Sequence, residues 1–210
     1  MYFKKTIYKI KKHGLVKSSI FVLSKLFKIG IMKFHYLKID INYSEVLKHI
    51  ENIDPVIKEL TYADFLLGDE TVFCGEKLEV IQKRCDDISY KAYGIIEDNR
   101  LIYSTWISLE KLGLPIKSNY TLRKDEGLLE DSYCHPSKRG KGLHGSMNFF
   151  RLAKLYELGK TKCIAIVLDG NTPAYKVQMK SGFINLGYFY AGILFGIPIC
   201  TLRKNKYDNR

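Results

Sequence analysis

The stretch Arg139-Gly140-Lys141-Gly142 is built to hold an anion. Residues 127–134 before it read as a strand. Residues 143–158 after it read as a helix, with Phe149, Leu152, Ala153 and Tyr156 at helical spacing. A glycine-rich turn that opens a helix presents unpaired backbone N–H groups, and the helix dipole favours negative charge at that end. Glycine also lets a phosphate approach the backbone closely. Arg139 and Lys141 add positive charge. The strand leading into the turn carries two carboxylates, Glu130 and Asp131. A carboxylate there could take a proton from a nucleophile as a general base. Two-residue alternation sends the two acids to opposite faces and groups Glu130 with Ser132 and Cys134.

The elements around these residues follow an α/β order. Residues 37–43 suggest a strand. Asp54-Pro55 breaks the chain, 56–60 reads as a short strand and Thr61 as a helix start. A short helix is expected over 76–84. Strands over 90–97 and 101–109 flank the turn Glu97-Asp98-Asn99-Arg100. Residues 111–123 read as a loop. The apolar run 163–168 reads as a buried strand. Thr172 and Pro173 then open a helix over 174–180, and strands run from Phe183 to Leu202, interrupted near Gly196 and Pro198. Strand, helix, strand, helix, strand argues an α/β domain.

The segment Arg139-Gly140-Lys141-Gly142-Leu143-His144 resembles the R/Q-x-x-G-x-G/A loop of the GNAT superfamily of acyl-CoA-dependent N-acyltransferases. Cys134-His135-Pro136 stands in the place of the family's V-x-P. Asn171, Ala174, Gly182 and Phe183 match its N-x-x-A…G-F run. The resemblance covers about 127–186 and extends toward 56. It implies a mixed sheet, splayed at its centre and flanked by helices, with acetyl-CoA lying in the split and no metal. Ser132, Tyr133 and Cys134 would meet the pantetheine and acetyl group through main-chain contacts. Arg139, Gly140, Lys141, Gly142, Leu143, His144 and Gly145 would cradle the pyrophosphate. Asn171 and Tyr175 would touch the pantetheine arm. Two positions depart from the family pattern. His144 replaces the last Gly/Ala of the loop, and Gln178 stands where a tyrosine general acid is common. Tyr175, one helical turn earlier, and Tyr133 are the phenols that could serve instead, or the thiolate needs no acid. Family members often carry an acid in the strand, which favours Glu130 as base over Asp131. Trp106 and Tyr103, on opposite faces of the preceding strand, could line the acceptor pocket or pack in the core.

The implied activity is transfer of an acetyl group from acetyl-CoA to a primary amine by direct attack. The alternative is a catalytically inactive GNAT-fold module that binds CoA or a partner. The acceptor could be a small amine, an amino sugar of a surface glycan or a protein amino group.

Composition sets the outer limits. The 210 residues are 46% hydrophobic and 27% charged, as in a soluble globular chain. Five cysteines without a C-x-x-C pair argue against a disulfide framework or zinc site, and fit a reducing compartment. The net charge of +12 is concentrated at the start. No acid precedes Asp40 and residues 1–38 hold ten lysines, leaving +2 for the rest. That one-sidedness argues against a nucleic-acid-binding domain with charge spread over a folded face. The apolar run 20–23 is too short for a signal peptide, so a cytoplasmic protein is expected. Ile20, Leu23 and Phe27 lie at helical spacing between a Ser18 or Ser19 cap and Gly30, and Phe3, Ile7 and Ile10 repeat it earlier. Residues 1–38 thus read as a basic amphipathic helical extension on a 39–210 domain. It either packs on that domain or lies peripherally on an anionic inner-membrane surface.

Overall fold

The computed structural model describes residues 30–51, 56–112, 121–195 and 197–205. The helices expected within residues 1–29, and most of the loop expected over 111–123, lie outside these. The described chain contains β1 (Gly30–Asp40), α1 (Tyr43–Ile50), β2 (Lys58–Glu59), α2 (Tyr62–Phe65), α3 (Glu76–Cys85), β3 (Tyr90–Glu97), β4 (Arg100–Ser108), β5 (Glu126–Cys134), α4 (Leu143–Glu157), β6 (Lys162–Leu168), α5 (Thr172–Lys180), β7 (Ile184–Leu194) and β8 (Ile197–Lys204). The strands form one sheet in the order β2-β3-β4-β5-β6-β1-β7-β8. Among the described strands only β5 and β6 are parallel neighbours. The mixed sheet flanked by helices matches the expected fold class.

Local chemistry sets the helix starts. The Asn42 side chain accepts the Glu45 N–H at 3.3 Å and opens α1, a helix the strand assignment over 37–43 had hidden. Thr61 and Asp64 form a capping box at α2. At α5 the cap is Asn171 rather than Thr172, its Oδ1 accepting the Ala174 N–H at 3.3 Å, with Pro173 in the first turn.

Helices α1, α4 and α5 cover one face of the sheet, over Leu37, Ile107, Leu129 and Val167. Helices α2 and α3 cover the other over β2–β5, where Phe65, Ile81, Trp106 and Tyr133 cluster. On β6, Cys163, Ala165 and Val167 point to the first face while Ile164 points to the second, as period-2 alternation requires.

The expected boundary after residue 38 does not hold. β1 lies inside the sheet, antiparallel to β6 on one side and β7 on the other. Lysines at 33 and 38 masked its alternation. Lys38 lies half-buried and its Nζ reaches Glu126 on β5 at 2.8 Å. A cut at residue 38 would remove the strand that β6 and β7 share.

The Lys38–Glu126 pair makes stability depend on acid. Burial alone would raise the Glu126 carboxyl. The Lys38 hydrogen bond and charge, together with the Arg123 N–H, outweigh it and leave the group below its ordinary 4.5. A depressed carboxylate contributes stability above its unfolded pKa, and that stability is lost as pH falls through the folded value. Glu126→Gln should lower stability at neutral pH by about 1–3 kcal/mol and flatten the acid limb of the Tm–pH curve. Thermal melts of both proteins between neutral and acid pH test this. Parallel acid limbs would assign the effect to other carboxylates.

Candidate active site

β5 and β6 pair only from Glu126 opposite Lys162 to Leu129 opposite Ala165. Both strands then continue, to Cys134 and Leu168, without pairing with each other. β5 meanwhile stays on β4, with a slip. Trp106 faces Glu130 and Thr105 faces Ser132, so Asp131 is a bulge residue. Its φ is +30°, in a region non-glycine residues rarely enter. A bulge bends and twists its strand. Here it coincides with the point where β5 leaves β6 and a cleft opens between them.

The bulge overturns the expected grouping of side chains. One inserted residue inverts strand parity. Glu130 therefore lies on the α2–α3 face with Tyr133, while Ser132 and Cys134 lie on the α4 face. Buried Glu130 meets Arg84 of α3, Oε2 to Nη2, at 2.9 Å, and Arg84 also lies 3.6 Å from Asp131. The guanidinium sits 5.5 Å from the Trp106 ring, which stacks on Phe65 at 5.3 Å. Trp106 and Tyr103 are both buried and pack in the core. Tyr133 packs edge-on against Phe73. Its hydroxyl is buried without a hydrogen-bond partner among the described residues. Burial, then the charge of Asp69, pushes that phenol up. On the other face, Ser132 Oγ is 2.8 Å from Thr105 Oγ1.

The glycine loop follows at the mouth of the cleft. Gly140 and Gly142 have φ of +78° and +77°. At these two residues and at Gly145, nothing lies within 4 Å of where a Cβ would stand. The first bonds of α4 run from the Gly145 and Ser146 N–H groups to the Gly142 carbonyl. The helix itself leaves the amides ahead of them unused. Arg139 is exposed, with its Nε–H donating to the Cys134 carbonyl at 3.1 Å. His144 turns inward, its Nδ1 2.6 Å from the Tyr103 hydroxyl. Burial, and secondarily the Arg151 charge, brings its pKa down to about 4. At neutral pH the imidazole is uncharged, so the positive potential of the loop comes from amides, Arg139 and Lys141.

On α5, Asn171 spends its side-chain oxygen on the cap. Tyr175 is half-buried against His35 of β1, ring centroids 4.4 Å apart. Gln178 is buried, its Oε1 accepting from Asn148 Nδ2 at 3.1 Å. Asn148 also donates to Ser181, and its Oδ1 accepts from Arg151. Arg151 is fully buried and donates to the carbonyls of Trp106 and Glu130, at 3.4 and 3.3 Å, beside the bulge. Sequence reasoning passed over this network. Its signal was a polar pair, Asn148 and Arg151, at i and i+3 within the apolar stripe of α4.

Gln178 is thus a structural hydrogen-bonding residue. Gln178→Tyr would overfill the site and strand the Asn148 amide. It should destabilise the protein by about 1–3 kcal/mol with no gain in acyl transfer. An unchanged Tm would mean the site accepts a phenol.

No family model and no curated protein sequence matches this chain. Solved structures do. A Novosphingobium aromaticivorans protein described as an acetyltransferase from the GNAT family is 13% identical, with a TM-score of 0.52 over 77% of this chain and 63% of its own. A functionally unknown conserved protein from Staphylococcus epidermidis is 11% identical, with a TM-score of 0.55 over 90% of this chain and 77% of its own. This chain therefore spans less than two thirds of the length of the first. At these identities the likeness is one of fold, and the fold is the GNAT fold.

Proposed function

We propose that the protein is an N-acetyltransferase that moves an acetyl group from acetyl-CoA to a primary amine. The observation that carries this reading is the open glycine cradle at the mouth of the cleft between β5 and β6. A diphosphate fits where Gly140, Gly142 and Gly145 leave room, against the free amides from Gly140 to His144. Arg139 and Lys141 supply charge. The β5 edge beyond Leu129, including Ser132, Tyr133 and Cys134, has main-chain groups open on the β6 side to hold an amide-bearing pantetheine. Asn171 and Tyr175 flank it from α5. When bound, the coenzyme supplies an acetyl thioester.

The amine attacks directly, without a covalent enzyme intermediate. Glu130 acts as base from the α2–α3 face, directly or through water. Tyr175 is the phenol offered to the leaving thiolate, since Gln178 is committed to Asn148. The acceptor class extends to amino sugars; that finer assignment rests on charge placement near the N-terminus. Titration calorimetry with CoA, followed by thiol release over an amine panel, tests the reading. The locked Gln178 also favours a second reading, a module that binds CoA without turnover. CoA binding with no thiol release across the panel would select it.

A further inference from the structure

Arg151 of α4 is a fully buried cation with no carboxylate partner among the described residues. It donates instead to neutral acceptors, the carbonyls of Trp106 and Glu130 and the Asn148 side chain, and its Nε–H has no partner among the described residues. A guanidinium keeps its proton inside a protein, and a buried charge without a counter-charge is costly. The titratable groups around it do not supply one. Burial pushes the Tyr103 phenol of β4 up. It brings His144 of α4 down to about 4, so the imidazole is uncharged at neutral pH. It also pushes up the thiols of Cys134 on β5 and Cys163 on β6. From α5, Gln178 and Ser181 reach the network through Asn148, and both are neutral. The carboxylates of Glu130 and Asp131 lie with Arg84. The interior under α4 is therefore short of one negative charge.

The place of Arg151 in the fold indicates where that charge arises. Its Nη1 donates to the carbonyls of Trp106 and Glu130, at 3.4 and 3.3 Å, and these two residues face each other across β4 and β5 at the bulge. β5 pairs with β6 as far as Leu129 and no further. Arg151 thus lies beneath the inner end of the cleft, while the glycine loop stands at its mouth. A ligand with its diphosphate in the loop and its chain along the β5 edge brings its far end to this point. On the acetyltransferase reading, on which this inference rests, that far end is the thioester.

We infer that Arg151 stabilises the thiolate that departs from the thioester. The amine nitrogen bonds to the carbonyl carbon, the carbon–sulfur bond breaks, and its electron pair goes to sulfur. The proton of the amine goes to Glu130 or to water. Negative charge then appears at the inner end of the cleft, above a cation that has no counter-charge. In a water-poor interior that attraction is far stronger than in bulk solvent, and a fixed guanidinium needs no rearrangement to supply it. Arg151 does not touch the sulfur. It is a positioning residue that sets the potential there from beneath the sheet, and it lowers the demand for a proton from Tyr175.

Bound CoA, the product, reports this effect without turnover. Its thiol is titrated on the full chain by the ultraviolet absorbance of the thiolate, with desulfo-CoA on the same protein as the blank. At a given pH the ratio of thiolate to thiol should be about 10–100-fold above that of free CoA. Arg151→Met removes the charge and keeps much of the volume. It should return the ratio to that of free CoA and lower kcat by about 10–100-fold, with KM for acetyl-CoA little changed. Arg151→Lys keeps the charge and should keep most of the raised ratio, which a role in packing alone does not provide. The far-ultraviolet spectrum checks the fold of both variants. Should the methionine variant fail to fold, the wild-type and lysine titrations decide. The inference is overturned by a wild-type ratio equal to that of free CoA, by a folded methionine variant that keeps the raised ratio, or by a lysine variant that loses it. CoA calorimetry separates the two proposals. Absence of binding removes the acetyltransferase reading and this inference with it, whereas normal binding with an unshifted thiol removes the role of Arg151 alone.

Discussion

Gly142→Asp should reduce CoA affinity by at least about a hundredfold while the protein remains folded. Three effects act in the same direction. The new carboxylate stands in the space left open at Gly142, where the diphosphate is proposed to lie. Like charges in a cradle with few counter-charges repel strongly. The φ of +77° at this residue costs a side-chain-bearing residue roughly 1–2 kcal/mol, which shifts the loop and its amides. Gly142→Ala separates these contributions, since it keeps the backbone strain and omits the charge, and it should fall between the two. Calorimetric titration gives all three affinities, and the far-ultraviolet spectrum checks the fold. Unchanged affinity in the aspartate variant would remove the loop from the binding site.

Glu130→Gln should lower the rate of acyl transfer by roughly 10²–10⁴ with CoA affinity retained. Glutamine keeps the size and loses the basicity. The deficit should shrink as pH rises, because the free amine fraction of the acceptor then grows without help from the enzyme. The bulge sharpens this prediction. Since Glu130 sits on the α2–α3 face with Arg84, the amine must arrive from that face, and Asp131, exposed and 3.6 Å from Arg84, is the nearest substitute. A matching loss in Asp131→Asn with a normal Glu130→Gln would transfer the role. A pH–rate profile identical to wild type in both variants would leave proton removal to solvent. The measurement is initial-rate thiol release on whichever amine the panel identifies.

Features that depend on a few consecutive residues were legible in the sequence. The strand, glycine turn and helix around Arg139–Gly145 follow from apolar spacing and from the conformational freedom of glycine. The Asn171–Pro173 helix start and the buried strand over 163–168 are read the same way, apart from which residue caps. These are short-range effects: a capping hydrogen bond spans three residues, and a helical face repeats within one turn or two.

What only the tertiary structure decided depends on contacts between distant residues. Strand parity accumulates along the chain, so the single bulge at Asp131 moved Glu130 away from Ser132 and Cys134, and nothing local announced it. Trp106 and Tyr103 became core residues because α2–α3 and α4 cover their faces. His144 became a neutral partner of Tyr103, 41 residues away, rather than a cation for phosphate. Gln178 is fixed by Asn148, 30 residues away. β1 lies between β6 and β7, far later in the chain, because its alternating apolar positions complete both faces of the sheet there.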